Sequence, residues 1–237
     1  CSRREADRLI EAGKVLVDNR PASMGQKVTP GQKVVCNGKM VRVDRSQRPR
    51  PVLLAVNKPK GIVCTTTDKD RAENIVDFLG YPERIYPVGR LDKHSEGLLL
   101  MTNQGDLVNK IMRSGNAHEK EYIVTIDKPV TERFLEQMAG GIRLPELDQV
   151  TRPCKVKKVE RNTFSIILTQ GLNRQIRRMC EACGCQVKRL VRVRIMNIRL
   201  GNLRTGAYRQ ITKEEYEELT GLLKDSSSLS LKERKNQ

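Results

Sequence analysis

The order of apolar and polar positions along the chain predicts a domain that contains both strands and helices. After residue 51, short apolar or alternating segments predict strands at residues 52–56, 98–101, 119–126, 155–159, 163–169 and 187–200. Apolar positions at helical spacing predict helices at residues 71–79, 105–113, 131–139, 173–183 and 212–223. Since strands outnumber helices and often follow one another, we expect an α+β fold around a mixed, mostly antiparallel sheet.

The first part of the chain has a shorter pattern of its own. Ser2 and Glu5 have the spacing of a capping box, and the apolar positions after them recur at helical spacing until Gly13. Two apolar segments, at residues 15–17 and 33–36, then predict short strands. This pattern predicts a small module that is separate from the larger domain.

The predicted domain organisation follows from changes in composition. Residues 44–51 are charged and contain two prolines, which stop both a helix and a central strand. We therefore place a module at residues 1–45, a linker at 46–51 and the larger domain at 52–224. The Ser- and Lys-rich residues 225–237 predict a disordered tail.

The net charge of +17 is the largest signal in the composition, and it points to a polyanionic partner. Nucleic acid is favoured over an anionic membrane surface, because the sequence shows no amphipathic basic helix with bulky aromatics and has no Trp. No apolar stretch approaches the roughly 20 residues that span a bilayer. Seven cysteines, an odd number spread along the chain, indicate reduced thiols and a cytoplasmic protein rather than a disulfide framework. We expect a monomer.

Asp92 is a candidate catalytic residue because of its position. The turn residue Gly89 precedes it, and the apolar run at residues 98–101 predicts a buried strand that holds the loop in place. Loops held by a rigid scaffold often carry catalytic groups. An Asp beside Arg90 and Lys93 is nevertheless more often an ion-pair residue, so position alone does not assign chemistry to it.

Basic residues are densest near the end of the larger domain. Between Gly171 and Arg209 the chain carries ten Lys or Arg residues and one acidic residue, Glu181. A surface of this kind neutralises phosphates and binds nucleic acid with an affinity that falls steeply with salt. This segment therefore predicts an RNA-binding or DNA-binding surface.

The spacing of Cys180, Cys183 and Cys185 resembles that of zinc ligands. However, Cys180 and Cys183 share the apolar face of the predicted helix with Ile176 and Met179, and no second Cys pair or nearby His completes a ligand set. We therefore predict core thiols and no bound metal. The sequence also lacks Walker and dinucleotide-binding motifs, which predicts chemistry without a nucleotide cofactor.

The N-terminal module resembles the ribosomal-protein-S-four-type RNA-binding domain at residues 2–6, 10–18 and 28–34. In that family a basic helix face binds structured RNA. The resemblance therefore implies that four residues contact RNA, namely Arg3, Arg4, Arg8 and Lys14. The family usually has a further short helix before this point, so we expect the module to be truncated at its N terminus in this chain.

The larger domain resembles the RNA pseudouridine synthases, in the branch that modifies ribosomal RNA and carries an S-four-type module. The matching segments are residues 57–61, 89–103, 119–122, 173–179 and 188–195. Segments 118–122 and 171–175 are most similar to the large-subunit pseudouridine synthase F group. The resemblance implies isomerisation of uridine to pseudouridine in large-subunit ribosomal RNA, and for some members in a tRNA anticodon loop.

The resemblance also implies roles for single residues. Asp92 acts at the ribose, either as a nucleophile on the anomeric carbon or as a base on the adjacent carbon. Arg177 pairs with Asp92, Tyr122 stacks on the target base, and Leu190 packs on the other side of the base. The remaining basic residues of the motifs are expected to bind RNA, namely Lys58, Lys60, Arg90, Arg174, Arg178, Lys188 and Arg192. His94 and His118 are expected to be non-catalytic.

Two other functions remain open at this point. A non-catalytic RNA-binding or ribosome-assembly factor with the same fold would need the same basic surfaces, but it has no need of Asp92, Tyr122 and Arg177 together. A zinc-dependent nucleic-acid enzyme would contain bound metal.

Overall fold

A computed structural model of the protein describes residues 1, 3–41, 50–65 and 73–226. The chain divides into two compact units, Cys1–Arg50 and Pro51–Gln237. Within the described residues, no helix is long and apolar enough to cross a membrane. Ser2 of the predicted capping box, most of the predicted linker and most of the predicted tail lie outside the described residues.

The first unit contains one helix and a small antiparallel sheet. Its elements are α1 (Arg3–Glu11), β1 (Val15–Val17), β2 (Arg20–Pro21), β3 (Val34–Cys36) and β4 (Lys39–Met40). The strand order is β2-β1-β3-β4. The Asp18 carboxylate closes the turn after β1, since it accepts hydrogen bonds from Lys33 N and Gln32 Nε2, each at 2.8 Å. The predicted helix and both predicted strands are confirmed, whereas β2 and β4 were not predicted.

The second unit contains five helices and eleven strands within the described residues. The helices are α2 (Ile75–Leu79), α3 (Gly105–Met112), α4 (Glu132–Gly140), α5 (Gln175–Ala182) and α6 (Lys213–Leu222), with 3-10 turns at Ser114–Asn116 and Pro145–Leu147. The strands are β5 (Leu53–Lys58), β6 (Tyr86–Pro87), β7 (Glu96–Thr102), β8 (Lys120–Ile126), β9 (Arg143–Leu144), β10 (Gln149–Val150), β11 (Lys155–Glu160), β12 (Thr163–Leu168), β13 (Val187–Ile195), β14 (Ile198–Arg199) and β15 (Tyr208–Gln210).

The main sheet has the order β11-β12-β8-β13-β7-β5-β15, with β14 on β13 and β6 on β7. Every described pair in it is antiparallel except β13 with β7, which run parallel. The predicted mixed, mostly antiparallel sheet is therefore confirmed. The parallel pair at its centre brings the end of the Asp92 loop next to the middle of β13.

The continuous apolar run in β7 is explained by burial on both faces of the sheet. Leu98 and Leu100 pack with residues of α3 and α6, whereas Leu99 and Met101 pack with Ile75 of α2. Across the sheet, β8 and β12 pack against α4 and α5 in a third cluster. Helices therefore cover the strands that carry the loops of interest, and these strands form a rigid base.

Two predicted elements differ from the structure. Residues 187–200 are largely strand, as predicted, but they form two strands, because the chain turns at Met196, where φ is +52°, and pairs back as β14. Helix α2 begins at Ile75, since the side chain of Asn74 accepts hydrogen bonds from Val76 N and Asp77 N as an N-cap. The predicted start at Arg71 lies outside the described residues. Strands β6, β9, β10 and β15 were not predicted.

Candidate active site

A cavity of about 430 Å³ opens over one face of β8 and β13. The Asp92 loop, α5 and the segment before α5 form its other walls. The structure brings together in its lining all four residues for which the sequence predicted a catalytic role, namely Asp92, Tyr122, Arg177 and Leu190. These residues come from four separate segments of the chain.

The loop that carries Asp92 is held at every residue from 90 to 94. Each residue has one main-chain atom in a hydrogen bond with a group outside that stretch. The bonds are Arg192 Nη1 to Arg90 O (3.4 Å), Leu91 N to Cys64 Sγ (3.4 Å), Ser95 N to Asp92 O (3.0 Å), Gly61 N to Lys93 O (2.8 Å) and Arg177 Nη2 to His94 O (3.0 Å). The buried side chain of Leu91 anchors the loop in the core as well.

The carboxylate of Asp92 is half-buried, and within the described residues it has no hydrogen bond or ion pair. The pairing of Arg177 with Asp92 stays a prediction, since in this structure the guanidinium donates to the main-chain oxygens of His94 and Val187 and to Ser95 Oγ. Burial lowers the pKa of Arg177, as does Arg174, while the charge of Asp92 raises it. Arg177 therefore acts on Asp92 at a distance and through the loop.

Tyr122 and Leu190 lie on the same face of the sheet. Tyr122 is paired with Arg192 in the register of β8 and β13, and Leu190 is paired with Val124. Leu190 is therefore the diagonal neighbour of Tyr122, a position in which Cβ atoms lie about 7–8 Å apart. Such a spacing leaves room for one planar ring between the two side chains.

Gly97 allows β7 to approach β13 closely. Its φ is +102°, and a Cβ there would lie 2.4 Å from Arg192 O and 2.8 Å from Arg192 N. Both contacts are with main-chain atoms, so no side-chain rotation relieves them. The start of β7, close to the end of the Asp92 loop, is thus fixed against the strand that carries Leu190 and Arg192.

Lys58 and Arg192, which the sequence analysis assigned to RNA binding, are both buried. Lys58 is fully buried at the end of β5, where Nζ donates to Pro59 O and Ile62 O, both at 2.8 Å. Burial lowers its pKa, and Asp92 is among the groups that raise it. Arg192 is also buried, although it lines the cavity. Lys58 lies away from any surface that RNA phosphates reach, whereas the RNA contact predicted for Arg192 stays a prediction, because Arg192 lines the cavity.

The other predicted RNA-binding residues divide by position. Arg90 and Arg174 are exposed and line the cavity, while Lys60 and Lys188 are exposed outside its lining. Arg178 forms an ion pair with Glu146 and does not line the cavity.

In the first unit, Arg8 and Lys14 are exposed. The side chains of Arg3 and Arg4 lie outside the described part of the chain.

The three clustered cysteines pack into the core beside α5. Cys180 and Cys185 are buried in the apolar cluster, and Cys183 packs against it. Burial raises the pKa of the Cys180 thiol, which keeps the thiol protonated. These contacts agree with the prediction of core thiols.

Lys120 is a cavity residue to which the sequence analysis assigned no role. It is buried at the start of β8, and burial together with the charge of Arg192 lowers its pKa to about 8. The alternation of β8 could have indicated that Lys120 is buried. Lys120 shares its face of the strand with Tyr122, Val124 and Ile126, all of which are buried. A charged residue at an inward position of a strand is a functional candidate.

We expect Arg177→Lys to lower the rate of product formation by roughly 10- to 100-fold, with RNA affinity within about threefold of the unmodified chain. Lysine keeps the charge but cannot hold His94 O, Ser95 Oγ and Val187 O together. Single-turnover rates and RNA dissociation constants test this. Arg143→Lys, in an exposed pair with Asp148, is the control. An unchanged rate in Arg177→Lys would show that the loop does not need this clamp.

Comparison with known proteins places the chain in a family. Residues 52–182 match the RNA pseudouridylate synthase family, and residues 1–34 match the S4 domain. The chain is 52% identical to the dual-specificity RNA pseudouridine synthase RluF of Escherichia coli (strain K12), over 96% of this chain and 77% of that protein. It is 35% identical to the ribosomal large subunit pseudouridine synthase B of Bacillus subtilis (strain 168), over 94% and 91%.

A solved structure shares the fold. The crystal structure of a pseudouridylate synthase aligns with a TM-score of 0.69 at 27% identity, over 92% of this chain and 94% of that chain. Identity at this level over nearly the whole length, with a shared fold, is more specific than any single motif. The chain therefore belongs to the RNA pseudouridylate synthase family, whose members isomerise uridine in RNA to pseudouridine.

Proposed function

We propose that this enzyme isomerises selected uridines of large-subunit ribosomal RNA and of a tRNA anticodon loop, with Asp92 as the group that acts at the ribose. The observation that carries the proposal is the Asp92 carboxylate, which is held on a clamped loop inside the cavity. The printed names of the relatives support the choice of substrates, since one is dual-specificity and another acts on the ribosomal large subunit.

The cavity fits one nucleotide that has left its stack. Its volume of about 430 Å³ is within the range of small-molecule sites. Enzymes that act on one base extrude it and hold it by stacking and by hydrogen bonds to its edge. Tyr122 and Leu190 hold the two faces of the uracil ring, and Asp92 faces the ribose as nucleophile or as base. A factor that only binds RNA has no need of such a cavity.

Basic side chains outside the cavity guide the RNA. Arg90 and Arg174 lie at the cavity and are exposed, so they bind the phosphates that flank the target nucleotide. Arg8 and Lys14 in the first unit bind structured RNA. The free thiols of all seven cysteines support a reducing, cytoplasmic location. We also propose that the enzyme works as a monomer.

The test is pseudouridine formation in transcripts of large-subunit ribosomal RNA and of tRNA, with the modified position mapped in each. We expect product in both RNAs. We also expect the RNA affinity to fall by at least about 100-fold between 50 and 200 mM salt, since phosphate contacts dominate binding. Binding of both RNAs without product in either would favour a non-catalytic binding factor. Product in one RNA alone would show that the enzyme acts on that RNA and not on the other.

A further inference from the structure

Within the described residues, two cationic side chains in the wall of the cavity have no anionic partner. Lys120 on β8 and Arg192 on β13 are 6% and 2% exposed, and both line the cavity. Arg192 is the register partner of Tyr122, and Lys120 is two residues before Tyr122 on the same strand. All three side chains therefore share one face of the sheet.

Both cations have donors that the protein does not use. Lys120 Nζ has three protons, yet within the described residues it makes one hydrogen bond, to His118 O at 3.4 Å. Arg192 uses Nε for Leu98 O at 2.7 Å and Nη1 for Arg90 O at 3.4 Å. Its Nη2 is buried and has no partner in the described part of the chain. Buried polar groups without partners are rare and need an explanation.

Lys58 shows what a purely structural buried lysine is like in the same unit. Its Nζ makes two hydrogen bonds of 2.8 Å to main-chain carbonyls. Burial lowers its pKa, but Asp92 and Glu96 are anionic groups that favour its protonated form. Lys120 lacks both features, so support of the fold does not account for it.

The charges around Lys120 are mostly positive. Arg192 on β13 faces it, and Arg177 on α5, Arg174 before α5 and Arg90 on the Asp92 loop line the same cavity. Asp92 is the acidic residue of that lining, with Tyr122 as its neutral titratable group. Asp92 acts on Lys58 and Arg177, whereas burial and Arg192 both disfavour the charge of Lys120. This wall therefore has an excess of positive charge that an anion would relieve.

The reaction itself generates an anion at this place. When the bond from ribose C1′ to N1 breaks, its electron pair stays on N1, and the charge of the uracil anion spreads over O2 and O4. The ring then rotates, and C5 forms the new bond to C1′. The proton on C5 is finally lost and N1 takes up a proton, so the product is an isomer of the substrate. The negative charge exists only between bond cleavage and bond formation.

We propose that Lys120 binds the uracil ring through a carbonyl oxygen, next to Arg192, and that the two cations stabilise the uracil anion after the C1′–N1 bond breaks. The proposal rests on the proposed function, since it requires that Tyr122 and Leu190 hold the base in this cavity. Fixed charges that face a developing charge in a dry site contribute large rate accelerations. They raise the rate rather than the affinity, because the neutral substrate does not use them fully.

The test compares Lys120→Met and Lys120→Arg with the unmodified chain in single-turnover reactions. We expect Lys120→Met to lower the rate constant by roughly 100-fold, with the RNA dissociation constant within about twofold. Lys120→Arg restores a cation and is expected to recover most of that loss. Lys157→Met, on the exposed surface of β11, is the control for loss of a lysine. Thermal unfolding of each variant separates a folding defect from a chemical one.

The pH profile gives a readout that a structural role would not change. The cation of Lys120 is present below its pKa of about 8 and is lost as the pH rises through that value. The kcat/KM of the unmodified chain should therefore fall above about pH 8, and in Lys120→Arg this fall should move to higher pH.

Three results would overturn the proposal. The first is an unchanged rate in Lys120→Met. The second is weaker RNA binding with an unchanged rate constant, which would identify a phosphate contact. The third is a pH profile that is the same in the unmodified chain and in Lys120→Arg. If the unmodified chain formed no pseudouridine at all, the proposed function would fail and this inference with it, whereas the three results above leave the proposed function intact.

Discussion

Asp92→Asn is expected to lower pseudouridine formation by at least about 10⁴-fold while RNA still binds. The amide has the shape of the carboxylate, so the cavity and the clamped loop stay as they are. It can neither attack C1′ nor remove a proton from the adjacent carbon, which are the two roles proposed for Asp92. The measurement is single-turnover conversion of ribosomal RNA and tRNA transcripts together with RNA dissociation constants.

Asp148→Asn is the matched control, because Asp148 is exposed and pairs only with the exposed Arg143. It should leave both conversion and binding unchanged. Conversion by Asp92→Asn at more than about a tenth of the normal rate would move the chemistry to another group in the cavity. Loss of RNA binding in this variant would instead point to a structural role for the carboxylate.

Gly97→Ala is expected to have the largest effect on stability of any single methyl group added in the second unit. The new Cβ would lie 2.4 Å from Arg192 O, and alanine rarely adopts a φ of +102°. Strands β7 and β13 must therefore separate locally, or the backbone must bend. We expect a loss of roughly 2–4 kcal/mol in the free energy of unfolding, seen as a fall in Tm of roughly 5–15 °C.

Gly140→Ala, at the end of α4, adds the same methyl group where no atom lies within 4 Å. Because alanine favours a helix, this control should change stability by less than about 1 kcal/mol, or raise it slightly. Gly97→Ala should also lower activity, because it shifts Arg192 and the end of the Asp92 loop. Gly140→Ala should leave activity unchanged. Equal Tm values for the two variants would contradict the close packing of β7 on β13.

The hydrophobic pattern predicted the strands that support the cavity better than it predicted which side chains on them are buried. The run at residues 98–101 indicated a buried strand, and alternation in β8 fixed the face that Tyr122 shares with the core. The burial of Lys58 and Arg192 was not predicted, because a charged residue in a basic segment usually lies on the surface. Their burial depends on pairing between strands that are distant in sequence, and local patterns do not encode that pairing.

The position of Arg177 shows the same limit. The sequence predicted that Arg177 lies on a helix, and the family resemblance implied that its guanidinium pairs with Asp92. Two of its partners are main-chain oxygens, and one of these belongs to His94, 83 residues earlier. Because such acceptors exist at every residue, their choice follows from the folded path of the loop rather than from residue types.

The clamp on the Asp92 loop ties the onset of activity to protein synthesis. Its side-chain contacts join residues 27 to 102 positions apart, and the last of them, Arg192, comes late in the chain. Contacts of such long range form late, after the intervening segments have paired. A nascent chain that has already exposed Asp92 therefore lacks the groups that hold it. We therefore expect that a chain whose synthesis has stopped before β13 forms no pseudouridine.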